Sequence, residues 1–446
     1  MGGGAAFTKK EYGERRRRLA AELENDSVAV LAGRIHTGAF DIFRQNNELF
    51  YLSGVDIPQS YLLIEGQAGK STLYLPGRDA KMERSKGAVL NSDDADSARV
   101  ETGVEHVRNY DQLAKDLAGC NLIYTPLAPG EGKQMCRDTV GHGREANRLD
   151  PWDGSLSREE AFLGGLQDNN SAAEVRDLLP HLDRLRGCKS DAEVDVMRVA
   201  GALAAAAVKE AIQSTATGLY EYQLAAVAEY IFRVNGAQGG AYRPIVASGK
   251  NIWNAHYYRN NQVLRDGDLV LMDYAPDYSC YTSDIGRMWP VNGVYSPWQR
   301  ELYGYIVEYH KVLLGLIRPG RLALDIEEEA AALMRPVIED TTWSKASFRQ
   351  AALNTLDFHG HLSHGVGMAV HDVWNYREEP LRPGVVFAVD PQMWNQEEQL
   401  YIRVEDTVVV TDSGCENLTA AVPLELDDIE NLMANPGLLQ QVPPLS

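Results

Sequence analysis

The sequence predicts two domains, a smaller α/β domain over 1–175 and an α+β domain over 186–446. Three observations lead there. A chain of 446 residues exceeds what one hydrophobic core usually serves. Its first third alternates short helix and strand signals, whereas the remainder sets long capped helices apart from hairpin strands. Between them, around 150–185, the composition turns to turn formers and acids, "LDPWDGSLSREE" and "GLQDNNSAAE".

Residues 8–24 are polar and helix-forming. "VAVLAG" (28–33), "YLLIEG" (61–66) and "STLYLPG" (71–77) read as short strands ended by Gly or Pro. The stretch 150–185 reads as an interdomain connection with one short helix. A strong helix start follows in "KSDAEVDVMRVAGALAAAAVKEAI". There Ser190 and Glu193 have capping-box spacing, and Val194, Met197, Ala200 and Leu203 share a face. Further helices are predicted over 220–235, 297–317 and 324–338. Strands are predicted at "LVLMD" (269–273), "YTSDIGRMW" (281–289), "VVFAVD" (385–390) and "YIRVEDTVVVT" (401–411). The glycine-rich start and the Pro/Gln-rich last ten residues are expected to fray.

With 44% apolar and 24% charged residues the chain reads as an ordinary globular protein. A formal charge of −20 would repel phosphates, which argues against a nucleic-acid partner. The basic run Arg15–Arg18 is expected on the solvated face of an amphipathic helix. Five scattered cysteines without CxxC spacing fit a reducing compartment and no thiolate zinc site. The start carries no apolar h-region, Ala6 breaks the myristoylation pattern, and no apolar run nears the ~20 residues that span a bilayer. A cytoplasmic protein without a membrane partner is the expectation.

Four of the ten histidines fall in "HGHLSHGVGMAVHD", residues 359–372. Imidazole is the commonest metal ligand and titrates nearest neutrality, so such density points to metal or proton chemistry. The carboxylates decide which. Asp273 ends "LVLMD" and Asp284 lies in "YTSDIG". A hairpin centred near Tyr278 and Ser279 would place the two almost opposite, with Cβ atoms ~5 Å apart. Two such buried acids repel, and a divalent cation resolves the conflict. Two solvent-facing acids on an exposed hairpin are the bland alternative, weakened by the apolar neighbours. In "YIRVEDTVVVT", strand alternation puts Arg403, Glu405 and Thr407 on one face. Asp390 closes "VVFAVD", with the small Val386 and Ala388 on its face.

The ordered set Asp273, Asp284, His364, Asp390 and Glu405 resembles the five-ligand pattern of the "pita-bread" metallopeptidases. "NAHYYRN", "RDGDLVLMD", "YTSDIGRMWPVNG", "LSHGVGMAVHDV" and "RVEDTVVVTDSGCENLT" are more similar to aminopeptidase P and prolidase than to methionine aminopeptidase. "FRQNNELFYLSGVDIPQSYLLIE" resembles the extra N-terminal domain of those two enzymes. The resemblance implies a pita-bread catalytic domain and hydrolysis of Xaa-Pro bonds, in peptides or dipeptides, by a hydroxide bridging two divalent ions. Those ions would be Mn(II), with Co(II), Fe(II) or Zn(II) as alternatives. It implies that Asp273 chelates one metal, that Asp284 and Glu405 bridge both, and that His364 and Asp390 complete the second. It places His256 and His371 beside the scissile bond, Asp390 as proton carrier and Arg403 near the active site. It also implies a homodimer or homotetramer. His359 and His361 have no counterpart and read as structural or surface residues. One departure stands out: the family has Glu in a "VEPG" context where this chain has Asp390 in "VDPQMW". Asp is one methylene shorter, a loss of about 1.5 Å of reach. The same fold hosts other chemistry, so a metal-dependent lyase or carbon–nitrogen hydrolase of a small metabolite is the alternative. A catalytically weak binding homologue is the third reading.

Overall fold

In the computed structural model, which describes residues 7–36, 38 and 42–444, the chain divides between Arg186 and Gly187 into two units. The N-terminal unit is built on six strands: β1 (Ser27–Ala32), β2 (Tyr61–Glu65), β3 (Ser71–Leu75), β4 (His106–Asn109), β5 (Leu122–Thr125) and β6 (Glu174–Asp177). Their order is β4-β3-β2-β1-β5-β6. β1, β2 and β3 run antiparallel, while β4, β5 and β6 are joined in parallel, as the alternating helix and strand signals require. Val30, Leu63, Tyr74 and Ile123 share its core with Leu113, Leu117 and Leu166 from the helices.

Two expectations are corrected in this unit. The stretch 150–185 is no simple connection: it carries helix Arg158–Asn169, strand β6 at the sheet edge, and most of helix Leu179–Gly187. Its polar composition reflects an edge position, where half the strand faces water. The basic run is only half solvated. Arg15 and Arg16 on helix Lys9–Glu22 are 2% exposed. Arg15 donates to the Tyr51 carbonyl and lies over the Phe7 and Tyr51 rings, at 4.4 and 4.5 Å. Arg16 donates to the Leu52 carbonyl. Both guanidinium groups thus satisfy carbonyls at the end of helix Asn47–Ser53, where backbone acceptors lack intrahelical partners.

The C-terminal unit contains β7 (Ile245–Ser248), β8 (Leu269–Asp273), β9 (Ile285–Pro290), β10 (Leu362–Gly365), β11 (Val386–Val389), β12 (Gln392–Asn395), β13 (Leu400–Arg403), β14 (Glu405–Val410) and β15 (Cys415–Asn417). One antiparallel sheet runs β10-β11-β14-β9-β8-β7, with β15 on β14. β12 and β13 form a separate two-stranded ribbon. β8 is buried at every position, which explains its unbroken apolar run. Helix Asp191–Ser214 opens with both bonds of the Ser190–Glu193 capping box. It buries Val194, Met197 and Ala200. Helices Glu221–Val234, Pro297–Leu316 and Ala323–Asp340 match expectation, and Ala346–Thr355 was not foreseen.

"YIRVEDTVVVT" is two strands rather than one. The chain leaves β13 after Arg403 and enters β14 at Glu405, so consecutive segments belong to different sheets. Part of the expected frayed tail is helix Leu438–Gln441, whose Leu439 amide donates to the Ser214 hydroxyl. The expected fraying of residues 1–6 and 445–446 lies outside the described residues. Among the described residues no helix is long and apolar enough to cross a membrane.

Candidate metal centre

The sheet brings the carboxylates together. Asp273 ends β8, and Gly286 lies opposite it on β9. Gly286 is in turn the partner of Glu405 on β14. A Cβ at position 286 would come 3.1 Å from the Glu405 Cβ, so a glycine there gives the central carboxylate its room.

The β8–β9 hairpin closes on Ser279 and Cys280, one residue later than expected. Asp273 therefore faces Gly286 rather than Asp284, a slip of two residues. Because side chains alternate with period two, the slip preserves the face and makes Asp284 a diagonal neighbour of Asp273. The Tyr242 hydroxyl lies 2.7 Å from Asp273 Oδ1 and 2.8 Å from Asp284 Oδ1. A hydroxyl carries one hydrogen, so it satisfies only one of these carboxylates at a time. Thr407 holds the other end of Asp284, accepting from its amide and donating to its carbonyl. Ser279 and Cys280 take φ of 55° and 67°, a left-handed conformation costing roughly 1–2 kcal/mol per non-glycine residue.

Asp284, His364 and Glu405 offer one ligand atom each within 4.8 Å of one another. His364 Nδ1 lies 3.2 Å from the Gly365 carbonyl, which calls for its proton there. That leaves Nε2 as a bare lone pair 3.4 Å from Asp284 Oδ2. Burial, and then the neighbouring His371, hold His364 down to a pKa of about 3, so it is neutral at pH 7. Burial and the charge of Asp273 push the Asp284 carboxyl well up. Glu405 is fully buried, and among the described residues no hydrogen-bond donor reaches its Oε1.

Arg403 is the cation facing these acids. Its Nε donates to Asp390 Oδ1 at 3.0 Å, its Nη1 to Asp273 Oδ2 at 3.3 Å, and it touches Glu405 Oε2. Burial alone would lower its pKa, but Asp390, Tyr401 and Asp273 outweigh that and raise it. Asp390 is pushed up to about 6 by burial, partly offset by Arg403. Among the described residues, the four buried carboxylates Asp273, Asp284, Asp390 and Glu405 thus face the one guanidinium of Arg403. Facing lone pairs, one orphaned glutamate oxygen and one neutral imidazole fit a divalent cation that takes oxygen ligands with nitrogen.

His371 lies against His364, ring centroids 4.1 Å apart and planes tilted by 44°, and His256 lies 6.4 Å beyond it, parallel to Tyr258. The structure therefore gathers the acids, Arg403, His364 and His371, with His256 at the exposed end of the row. His361 is buried between Tyr309 and Phe358, a structural histidine, and His359 is exposed. Tyr242 was missed, because no local pattern ties a lone Tyr to carboxylates far along the chain; Thr407 was placed on the Glu405 face, but its bonds to Asp284 were not foreseen. Missed too was the buried Lys189–Asp372 pair, 3.0 Å apart, beside His371.

The profile of metallopeptidase family M24 matches residues 195–412, and that of the aminopeptidase P N-terminal domain matches 12–122. The Xaa-Pro aminopeptidase of Escherichia coli K12 is 30% identical over 96% of this chain and 98% of its own length. The Xaa-Pro aminopeptidase 3 of Rattus norvegicus is 31% identical over 96% and 86%. The solved proline aminopeptidase P II of Yersinia pestis is 30% identical with a TM-score of 0.77, covering 96% of this chain and all of its own. The chain belongs to metallopeptidase family M24, in its aminopeptidase P group.

Proposed function

We propose that the protein is a metal-dependent exopeptidase that hydrolyses the bond between an N-terminal residue and a proline in second position. The convergence of Asp284, His364 and Glu405 around an unsatisfied buried acceptor carries this reading. Relatives named Xaa-Pro aminopeptidase support the choice of bond. Asp273, Asp284, His364, Asp390 and Glu405 would hold two divalent ions, Mn(II) first and Co(II), Fe(II) or Zn(II) as substitutes. When bound, such ions supply Lewis acidity and a water of lowered pKa.

The chain's own residues supply the rest. Asp390, buried and with a carboxyl raised to about 6, suits a group that takes a proton and returns it to a leaving nitrogen. His371, 4.1 Å from His364, and His256, 6.4 Å from His371, would donate imidazole N–H groups to a carbonyl oxygen as it gains charge. Arg403 fixes the planes of Asp273 and Asp390 and offsets part of their repulsion. A cytoplasmic homodimer or homotetramer, with neither nucleic acid nor membrane as partner, completes the proposal and fits the acidic charge of −20.

The test is direct. Metal content of the purified protein is measured, and proline release from Gly-Pro is compared with N-terminal cleavage of Arg-Pro-Pro, with and without Mn(II). Faster cleavage of Arg-Pro-Pro identifies an aminopeptidase, and faster release from Gly-Pro a dipeptidase. Turnover of neither by metal-loaded protein favours a lyase or carbon–nitrogen hydrolase of a small metabolite, or a weak binding homologue. A chelator-treated sample that keeps its full rate ends the metal reading.

A further inference from the structure

The short Asp390 is held by a clamp built on the β12–β13 ribbon. Gln392 and Arg403 are register partners across that ribbon, so their side chains leave from directly opposed positions on one face. Both reach the same carboxylate. Arg403 Nε donates to Asp390 Oδ1 at 3.0 Å, and Gln392 Nε2 donates to Asp390 Oδ2 at 3.2 Å.

The amide's orientation is forced. Gln392 Oε1 accepts from the Trp394 indole at 3.3 Å and from the Tyr401 hydroxyl at 3.2 Å. An indole N–H can only donate, so the atom facing it is the oxygen and the NH₂ must face Asp390. The backbone is pinned as well. The Asp390 amide donates to the His361 carbonyl at 2.7 Å, and the Gln392 amide lies 3.4 Å from His361 Nδ1. His361 Nε2 lies 2.8 Å from the Thr355 carbonyl, which places the ring proton on Nε2 and leaves Nδ1 to accept.

We infer that Gln392 is a positioning residue for Asp390, an oriented donor that fixes the shortened carboxylate toward the metal-binding acids. This inference rests on the metal-dependent reading given above.

Mn(II) titration by calorimetry and the denaturation midpoint of the metal-free protein test this, together with kcat and KM on Arg-Pro-Pro. Gln392→Glu keeps the shape but replaces the donor with an acceptor, and Gln392→Met removes both. Each is expected to weaken Mn(II) binding about 10–100-fold, the usual effect of removing a partner that orients a ligand. kcat should fall while KM and the metal-free midpoint hold. Adding Asp390→Glu to Gln392→Met should recover most of the affinity, because the longer side chain no longer needs the amide. Wild-type affinity in both single variants overturns the inference. So does a loss that tracks a fall in the midpoint and is not rescued. Wild-type protein that binds no Mn(II) overturns the functional reading and, with it, this role.

Discussion

Glu405 and Asp406 are consecutive on β14, point to opposite faces and are both buried, yet their surroundings differ in kind. Asp406 is matched. Its Oδ1 accepts from Arg287 at 2.8 Å and from Thr419, and its Oδ2 lies 3.2 Å from His310 Nε2. Burial would raise its pKa, but Arg287 and His310 outweigh that and hold it down. Across the strand, Glu405 shares one arginine with Asp273, Asp284 and Asp390. Burying a charge is tolerable when it is paired and costly when it is not. The matched face is architecture. The unmatched face stores a deficit that a cation removes.

Glu405→Gln should separate the two most sharply. Activity toward a Xaa-Pro peptide should fall on the order of 10⁴-fold, about 5 kcal/mol, with loss of bound metal by elemental analysis. Metal-free protein should nevertheless resist urea better than wild type, because one unmatched charge is gone. A lower urea midpoint in the metal-free variant would contradict the assignment of Glu405 to the unmatched face. Arg287→Met attacks the other side. It strands the Asp406 carboxylate, and urea melts should show a loss of about 3–5 kcal/mol.

Acid should also find the matched face. Burial lowers His310 to a pKa of about 4, against an ordinary value of 6.5. The unfolded chain therefore takes up a proton on His310 that the folded chain refuses. Its contribution to stability is complete above pH 6.5 and is lost as pH falls toward about 4. His310→Phe should flatten that limb in metal-free protein, and an unchanged slope in acid titrations would remove His310 from the account. The smallest effect concerns the hairpin tip that spaces Asp273 from Asp284. Cys280→Gly should raise stability by about 1 kcal/mol by relieving the left-handed backbone, leaving the charge imbalance and metal affinity alone.

Much of the centre was legible because acids in apolar strands are conspicuous. Asp273, Asp284, Asp390 and Glu405 each end or interrupt a hydrophobic run, and their convergence required only that the runs form one sheet. The predicted hairpin slipped by two residues, yet pleat parity kept both aspartates on one face, so a wrong register still led to a right neighbourhood. The strand through 401–411 broke at Val404 because alternation alone cannot reveal that a chain changes sheets. Tyr242 and Gln392 stayed hidden for a different reason: their roles come from where a hydroxyl and an amide point. Arg15 and Arg16 misled because burial of a guanidinium depends on carbonyls 36 positions away, which a charge run does not disclose.

Trp394 also bears on how the protein can be watched. Its indole is half exposed, bonds Gln392, lies 4.1 Å from the Tyr401 ring at a tilt of 30° and meets Trp253 edge-on at 5.1 Å. That gives the molecule a native fluorophore two bonds of hydrogen away from Asp390. Loading the centre should change its emission intensity or wavelength without any attached dye, a signal that Trp394→Phe should silence.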